Sequence, residues 1–223
     1  MNADTNRTPR KRSGFYRKTG KPILDYLLAV FISFFLWPFI VEIALLIWLE
    51  TGPPVLFRHK RPGLHEKPFT MLKFRTMNPP RMVNGQPLTE TKRLTSLGRF
   101  LRSFSLDEMP ALINVLRGEM SLVGPRPLLM EYLSCYTPEQ RRRHDIKPGI
   151  TGWAQIHGRN ECLFSKRLQL DVWYVEHVSF PLDLRIIFSS LFAVTRGRGV
   201  RSDLEQCLSE VDDLGFSKTL SDP

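Results

Sequence analysis

The sequence has 223 residues, a length that suits one domain with a sizeable core. With 42% hydrophobic and 24% charged residues, the composition excludes a chain that is disordered throughout. Three cysteines, none in a CxxC pair, argue against a structural zinc site and a secreted disulfide scaffold, so we expect reduced thiols and a cytoplasmic active side.

The net charge of +10 is unevenly distributed. Residues 1–21 carry seven Lys or Arg, whereas the segment from residue 202 onward carries six acids and one lysine. We predict a disordered, membrane-proximal basic arm over residues 1–20 and an acidic tail over 201–223, although the arm could also be a solvated tail without a role. Basic surfaces attract the phosphates of lipids, nucleic acids or nucleotides alike, so charge alone does not choose among them.

The strongest physical signal is an apolar segment, predicted as a membrane element over residues 21–50. Sixteen residues from 26 to 41 carry no charge, and the apolar character resumes after Glu42. A spanning helix needs ~20 apolar residues, so this segment is long enough only if Glu42 lies in or near the lipid. A buried soluble helix is the alternative, but the run is apolar on every side.

Pro38 lies near the middle of this segment and predicts a kink, because proline removes one helix hydrogen bond and clashes with the preceding turn. A kinked helix can span the bilayer or enter and return on the same face. The re-entrant path would place Asp25 and Glu42 at one polar interface, which mildly favours it.

The remainder, residues 51–200, is predicted as one catalytic domain that is mainly α with a small β-hairpin. Alternating short apolar pieces predict strands near 55–58 and 68–75, and a Pro/Gly/Asn-rich composition predicts a loop over 78–90. Helical patterns are predicted at 95–116 with an interruption at Pro110, 130–144, 164–178 and 181–196. Two prolines exclude a regular helix over 122–129, and 147–160 is predicted as a Gly-rich loop.

Asp107 and Glu108 are adjacent acids in an otherwise apolar helical pattern. Burying a carboxylate without a partner is costly, so we expect nearby cations, with Arg102 as a candidate, or a divalent metal ion. Such a carboxylate can attack phosphorus and form an acyl phosphate, while cations stabilise charge on the transferring group. An exposed acidic pair that only solubilises the helix is the alternative.

Several further residues are candidates for phosphate or nucleotide contacts. Arg126 stands between two prolines, so a stiff loop would present its guanidinium fork to phosphate, or to a structural ion pair. Lys73 and Arg75 alternate on a predicted strand and would face one side, toward a diphosphate or toward solvent. Gln155 and Arg159 lie in the predicted Gly-rich loop, where the backbone could approach a nucleotide closely.

Taken together, the motifs SLDEMPALINVLRGEMSLVGPRPLL, KFRTM and KPGITGWAQIHGRN closely resemble those of the monotopic phosphoglycosyl transferases, also called bacterial sugar transferases. The resemblance covers nearly all residues from 21 to about 199, with agreement in order and spacing. The membrane element of that family is a re-entrant helix broken near a proline, which Pro38 matches. Trp37 stands where the family often has serine, so the break angle is open.

The resemblance implies a ping-pong mechanism with Asp107 as nucleophile. Asp107 would attack the β-phosphate of a UDP-sugar and expel UMP, and polyprenyl phosphate would then take up the sugar phosphate. Glu108 would assist the acceptor or the metal, and Mg²⁺ would lie against Asp107. Arg102 and Arg126 match positions that hold phosphate groups.

The resemblance also places Lys73, Asp171 and Asp183 on characteristic family positions, with roles that are less defined. It implies the cytoplasmic face of a bacterial inner membrane, membrane lipid as a partner, and the first membrane step of glycoconjugate assembly, with downstream glycosyltransferases as candidate partners. Small family members often use N-acetylated amino sugars, so we expect a donor similar to UDP-diacetylbacillosamine, with UDP-galactose or UDP-glucose as the alternative.

Two other classes compete with the enzyme. A membrane-tethered module that binds nucleic acid or anionic lipid would fit the basic charge, but no zinc-finger, helix-turn-helix or RNP-like pattern supports it, so we predict no nucleic-acid partner. A non-catalytic scaffold would fit a degenerate dyad. The intact Asp107–Glu108 pair favours the enzyme over both.

Overall fold

The computed structural model describes residues 14–79, 82–83, 86–87, 89–158, 163–195 and 213–215. Helices dominate the described part, as predicted, and its β-structure consists of three two-stranded sheets. The α-helices are α1 (Lys21–Thr51), α2 (Glu90–Arg93), α3 (Ser96–Ser103), α4 (Ala111–Leu116), α5 (Pro138–Arg141), α6 (Trp153–Gly158), α7 (Phe164–His177) and α8 (Phe180–Thr195). The strands are β1 (Leu56–Pro62), β2 (Pro68–Phe74), β3 (Met82–Val83), β4 (Gln86–Pro87), β5 (Ser121–Val123) and β6 (Gly149–Thr151).

The long apolar helix α1 has 31 residues and stays one helix through Pro38. A π-helical turn, Tyr16–Gly20, leads directly into it, so helix begins before the predicted end of the basic arm at residue 20. By length and composition, Tyr16–Thr51 could cross a membrane. Large apolar side chains are exposed along both halves of α1, with Phe34 at 70% and Leu49 at 66%. Residues 1–13 of the predicted arm lie outside the described residues.

A buried polar network holds the N-terminal end of α1 against the rest of the chain. Lys21 Nζ lies 2.7 Å from Asp183 Oδ2 at the start of α8. Ser121 Oγ donates to Asp25 Oδ2 at 2.7 Å, and the Leu122 N–H donates to Asp25 Oδ1 at 3.2 Å. Because a buried charge without a partner is costly, these contacts fix the position at which α1 begins.

The C-terminal end of α1 is held by the strand that ends beside it. Arg75 Nη2 donates to the Thr51 carbonyl at 2.8 Å and also to the Gly52 carbonyl. These oxygens are among those that a helix end leaves unpaired, and a cation there also opposes the helix dipole. Ile47, 1% exposed, packs in a cluster with Phe74. Both ends of α1 are therefore attached to the same domain, and the helix lies along it.

The predicted hairpin is confirmed as the antiparallel pair β1–β2, with Leu56 opposite Phe74 and Phe57 opposite Lys73. Residues opposite one another share a face of the sheet, and side chains alternate between faces along a strand. His59 and Arg61 therefore lie on the same face as Lys73. The predicted loop 78–90 contains the short pair β3–β4.

The helical pattern predicted over 95–116 is confirmed in type but is broken twice. Thr95 caps α3, because its Oγ1 accepts the Gly98 N–H at 2.9 Å. The chain then turns through Ser105, whose φ of 56° is left-handed, into a 3₁₀ turn, Leu106–Glu108, before α4. Gly98 is required where it stands, since an added Cβ would lie 2.0 Å from the Thr76 carbonyl oxygen.

The single helix predicted over 130–144 is wrong. A 3₁₀ helix, Met130–Ser134, is followed by a break, by α5, and by a second 3₁₀ helix, Arg142–Asp145. The break has a local cause at Thr137, which caps the start of α5 with a capping box. The Gln140 N–H donates to the Thr137 hydroxyl, and the Thr137 N–H donates to the Gln140 side-chain oxygen. Pro138 at the first helical position cannot continue a preceding helix.

The Gly-rich loop predicted over 147–160 is also wrong, because β6 and α6 lie there. β6 pairs in parallel with β5, with Ser121 opposite Gly149 and Val123 opposite Thr151. An added Cβ on Gly149 would lie 2.0 Å from the Gly124 nitrogen. The glycines thus allow close approach of two backbone segments, and the sequence pattern alone did not distinguish this from approach to a ligand.

The two C-terminal helices, α7 and α8, are confirmed close to their predicted bounds. They join α1, β2, α4 and β5 around one core. Its buried side chains include Ala29, Met71, Leu112, Val115, Met120, Val123, Tyr174, Val175 and Ile186. The predicted acidic tail lies outside the described residues except for 213–215, where Asp213 Oδ1 accepts the Ser165 N–H at 3.0 Å.

Candidate active site

The acidic pair lies on the 3₁₀ turn between α3 and α4. Glu108 is buried at 8% exposure, and Asp107 is half-buried. The neighbours on either side, Leu106 and Met109, pack in the same apolar cluster as Ile43 and Ala44 of α1. The turn is therefore fixed against α1. The two carboxylates on it differ in their exposure to solvent.

Glu108 is held from both sides by cations. Lys73 Nζ lies 2.7 Å from Glu108 Oε1, and Arg126 Nη1 lies 3.2 Å from Oε2, while Arg126 Nη2 also bonds to Oε1. Burial alone would raise the pKa of Glu108, but the charges of Arg126 and Lys73 outweigh it and hold that pKa below its usual value. Both oxygens of Glu108 are thus engaged, and it stays ionised.

Asp107 is the carboxylate that remains free. Within the described part of the chain, its oxygens take part in no hydrogen bond or ion pair. Burial raises the pKa of Asp107, the negative charge of Glu108 raises it further, and Lys73, Arg126 and Arg102 act in the opposite direction. An ionised carboxylate that is partly desolvated and not hydrogen-bonded is a more reactive nucleophile than a solvated one.

Arg102 faces this pair with unused hydrogen-bonding capacity. Its Nε donates to Thr76 Oγ1 at 3.0 Å, whereas its buried Nη1 has no partner within the described residues. A buried N–H without an acceptor is costly, so an incoming oxyanion would compensate it. The structure therefore brings together four of the predicted residues around Asp107: Arg102, Glu108, Arg126 and Lys73.

The other predicted site residues have different surroundings. Arg75 binds the end of α1, so it does not accompany Lys73. Asp183 accepts hydrogen bonds from Lys21 and from Tyr174 in the network at the start of α1. Gln155 has both amide atoms buried without a partner among the described residues. Arg159 lies outside the described residues.

Asp171 forms a second layer behind the site. It is 2% exposed and accepts from Arg143 Nη2 at 2.7 Å, and the same nitrogen donates to the carbonyl oxygen of Arg126 at 2.7 Å. The ion pair of Asp171 and Arg143 thus holds the backbone at Arg126 in place. Sequence reasoning missed Arg143, because a run of four basic residues is more often a solvated helix end.

The residues fit a metal ion only in part. No group of three or more potential ligands lies together within the described residues. Since Glu108 is engaged with Lys73 and Arg126, Asp107 is the carboxylate available for a cation. Mg²⁺ is often bound by one or two carboxylates together with substrate phosphates, so the site fits an ion that arrives with a diphosphate.

Comparison of the sequence with known proteins identifies a family. The bacterial sugar transferase family model matches residues 16–197. An uncharacterized sugar transferase, EpsL, of Bacillus subtilis (strain 168) is 49% identical over 181 residues, which cover 81% of this chain and 90% of the relative.

Several relatives carry the name UDP-glucose:undecaprenyl-phosphate glucose-1-phosphate transferase, among them those of Caulobacter vibrioides and Xanthomonas campestris pv. campestris. That of Caulobacter vibrioides is 38% identical over 183 residues, covering 77% of this chain and 68% of the relative. That of Xanthomonas campestris pv. campestris is 40% identical over 183 residues, and the chain spans only 38% of its length. With a family match over residues 16–197 and these relatives, the chain belongs to the bacterial sugar transferase family.

Proposed function

We propose that the protein transfers a sugar-1-phosphate from a UDP-sugar to a polyprenyl phosphate and releases UMP. The observation that carries this proposal is the free carboxylate of Asp107 beside the clamped carboxylate of Glu108. The Caulobacter and Xanthomonas relatives are named for UDP-glucose and undecaprenyl phosphate. These names support the same donor and acceptor classes.

The transfer proceeds in two displacements at phosphorus. A carboxylate oxygen of Asp107 forms a bond to the β-phosphorus of the donor, and the bond from that phosphorus to the bridging oxygen breaks, so UMP leaves with the electron pair. A phosphate oxygen of the acceptor then attacks the same phosphorus, and the Asp107 carboxylate is released. Two half-reactions at one nucleophile give ping-pong kinetics.

The cations around Asp107 stabilise charge without taking part in bonds to phosphorus. Arg102 contributes the buried Nη1 donor that has no protein acceptor among the described residues. Lys73 and Arg126 remain beside Asp107 because Glu108 holds them there, and their fixed positions require no reorganisation during reaction. Glu108 thus acts mainly through those two cations.

Asp107 would hold Mg²⁺ together with the donor diphosphate. When bound, the ion would neutralise charge on the phosphate oxygens. The protein contributes one free carboxylate to it, so the affinity of the protein alone for Mg²⁺ should be low and should rise when the diphosphate is present.

The proposed setting is the cytoplasmic face of a bacterial inner membrane, with α1 held in one leaflet. Attachment of both ends of α1 to the same domain, through Lys21 and Arg75, supports a monotopic rather than a spanning arrangement. The exposed apolar side of α1 would contact lipid, and the cations that precede Lys21 would contribute ~1 kcal/mol each near anionic headgroups. Leu106 and Met109 pack in one cluster with α1 residues, which supports a position of Asp107 near the headgroups, where the acceptor phosphate would lie.

For the donor, the relatives favour a hexose over the N-acetylated amino sugar expected from the family resemblance. Six relatives are named for glucose or galactose. We therefore propose UDP-glucose or UDP-galactose as the first donors to test, with UDP-diacetylbacillosamine and related amino sugars as the second group.

The decisive experiment supplies purified protein in lipid nanodiscs with undecaprenyl phosphate, Mg²⁺ and single UDP-sugars. We expect UMP release with one or a few donors, a matching polyprenyl-diphosphate-sugar product, and loss of both when EDTA removes the metal. UMP release without a lipid product would contradict transfer. Failure of every donor in both groups would sink the proposed activity.

The raised pKa of Asp107 predicts a pH dependence. Protonated Asp107 cannot attack, so kcat/KM for the donor should fall with decreasing pH at values above the usual range of an aspartate. Lys73→Gln removes a cation that lowers this pKa, so its acid limb should move to higher pH. Lys60→Gln, an exposed lysine on the other face of the hairpin, is the control. An acid limb that moves to lower pH in Lys73→Gln would contradict this assignment.

A further inference from the structure

A second cationic group lies on the face of the hairpin that carries Lys73. Phe57 is opposite Lys73, and His59 and Arg61 follow at alternate positions of β1, so their side chains project from the same face. Both are half-buried, whereas Arg58 and Lys60, on the other face, are exposed. The sequence analysis did not identify either residue, because the strand pairing was needed to place them beside Lys73.

Arg61 has no carboxylate partner within the described residues. Its Nη2 donates to His59 Nδ1 at 3.2 Å, which requires that this nitrogen carry the lone pair, and its Nε is buried without an acceptor. Burial lowers the pKa of Arg61, repulsion from the nearby Arg126 lowers it further, and Glu131, Tyr132 and Glu108 oppose this shift without cancelling it. A partly desolvated guanidinium with an unused donor, held near a like charge, is stabilised when an anion binds.

The other cations of the site already have a role, either in binding Glu108 or beside Asp107. Lys73 and Arg126 bind Glu108, and Arg102 lies close enough to Asp107 to lower its pKa, on the side where the transferred phosphate must be. Each half-reaction also contains a phosphate that is not transferred. In the first it is the α-phosphate that leaves in UMP, and in the second it is the phosphate of the prenyl acceptor. The two are never required at the same time in a ping-pong cycle.

We propose that Arg61, oriented by His59, forms a subsite for this second phosphate, the phosphate group adjacent to the one that Asp107 attacks. The proposal rests on the proposed function and extends it to residues outside the dyad. The ligand chemistry is a phosphate monoester or the corresponding half of a diphosphate. Its source is the nucleotide, the lipid acceptor, or each in turn.

Binding measurements test the subsite without requiring turnover. Wild-type protein in nanodiscs is titrated with UMP and, separately, with a short prenyl phosphate, and each titration is repeated with Arg61→Gln, Arg61→Lys and Arg58→Gln. One charge-assisted contact predicts that Arg61→Gln weakens binding by about ten- to a hundred-fold, with Arg61→Lys in between. Arg58→Gln removes the same charge from the exposed face of the same strand and should bind as wild type does.

The pattern of effects identifies the source. Weaker UMP binding alone assigns the subsite to the nucleotide, weaker prenyl phosphate binding alone assigns it to the acceptor, and loss of both assigns it to each in turn. Arg61→Lys keeps the test valid if Arg61→Gln lowers the unfolding temperature. Unchanged binding of both probes in folded Arg61 variants would overturn the subsite, while UMP release by the wild type would leave the transferase proposal standing.

Discussion

Replacing Asp107 with asparagine is expected to lower UMP release by about four orders of magnitude or more, the scale seen when a catalytic nucleophile is removed. Asparagine keeps the shape of the side chain but provides no carboxylate oxygen to attack phosphorus. Glu108 cannot take over, because Lys73 and Arg126 engage both of its oxygens. UMP release measured with donor, acceptor and Mg²⁺ checks the prediction, with exposed Asp145→Asn as the matched control.

The covalent intermediate gives a second readout of the same residue. With donor labelled in the sugar phosphate and no acceptor, wild-type protein should retain label after denaturation and release one UMP per label bound. Asp107→Asn should retain none, whereas Asp145→Asn should behave as wild type. Persistent UMP release from Asp107→Asn, or label that stays on this variant, would refute Asp107 as the nucleophile.

The sequence allowed prediction of those parts of the fold and site that depend on local pattern. Alternation placed the β1–β2 hairpin, and periodicity placed α7 and α8. The acidic pair at Asp107 and Glu108 stood out because apolar neighbours make adjacent carboxylates expensive, and the cations expected near them are present in Lys73, Arg102 and Arg126. The acidic pair and its neighbouring cations could therefore be predicted from local sequence.

The predictions that failed concern residues whose surroundings depend on contacts between distant segments. Arg75 was paired with Lys73 by strand alternation, but β2 ends before it and the guanidinium binds the carbonyls of α1 instead. The Gly-rich segment 147–160 was interpreted as an approach to a nucleotide, whereas Gly149 within it allows β6 to lie against Gly124. Arg61 required the register of the hairpin. None of these partners is adjacent in sequence, so no local pattern could identify them.

Asp171→Leu is expected to cost about 3–5 kcal/mol of stability, because it leaves the guanidinium of Arg143 buried without its anion. For a chain of this length, that loss corresponds to a melting temperature lower by roughly 6–20 °C. Thermal unfolding in nanodiscs measures it. The matched control is Glu176→Gln, which breaks the exposed pair of Glu176 with Arg142 between the same two elements and should cost less than about 1 kcal/mol.

The double substitution Arg143→Met with Asp171→Leu separates the stability of this pair from its effect on the site. Removing both charges should restore part of the lost stability, since apolar side chains tolerate the buried position. Turnover of the double variant should stay low, because the Arg126 carbonyl oxygen then lacks its donor from Arg143 and the loop that presents Arg126 is no longer held. Recovered stability with low kcat would identify the pair as positioning residues. A variant of Asp171 that loses donor binding at an unchanged melting temperature would instead assign this carboxylate to substrate contact.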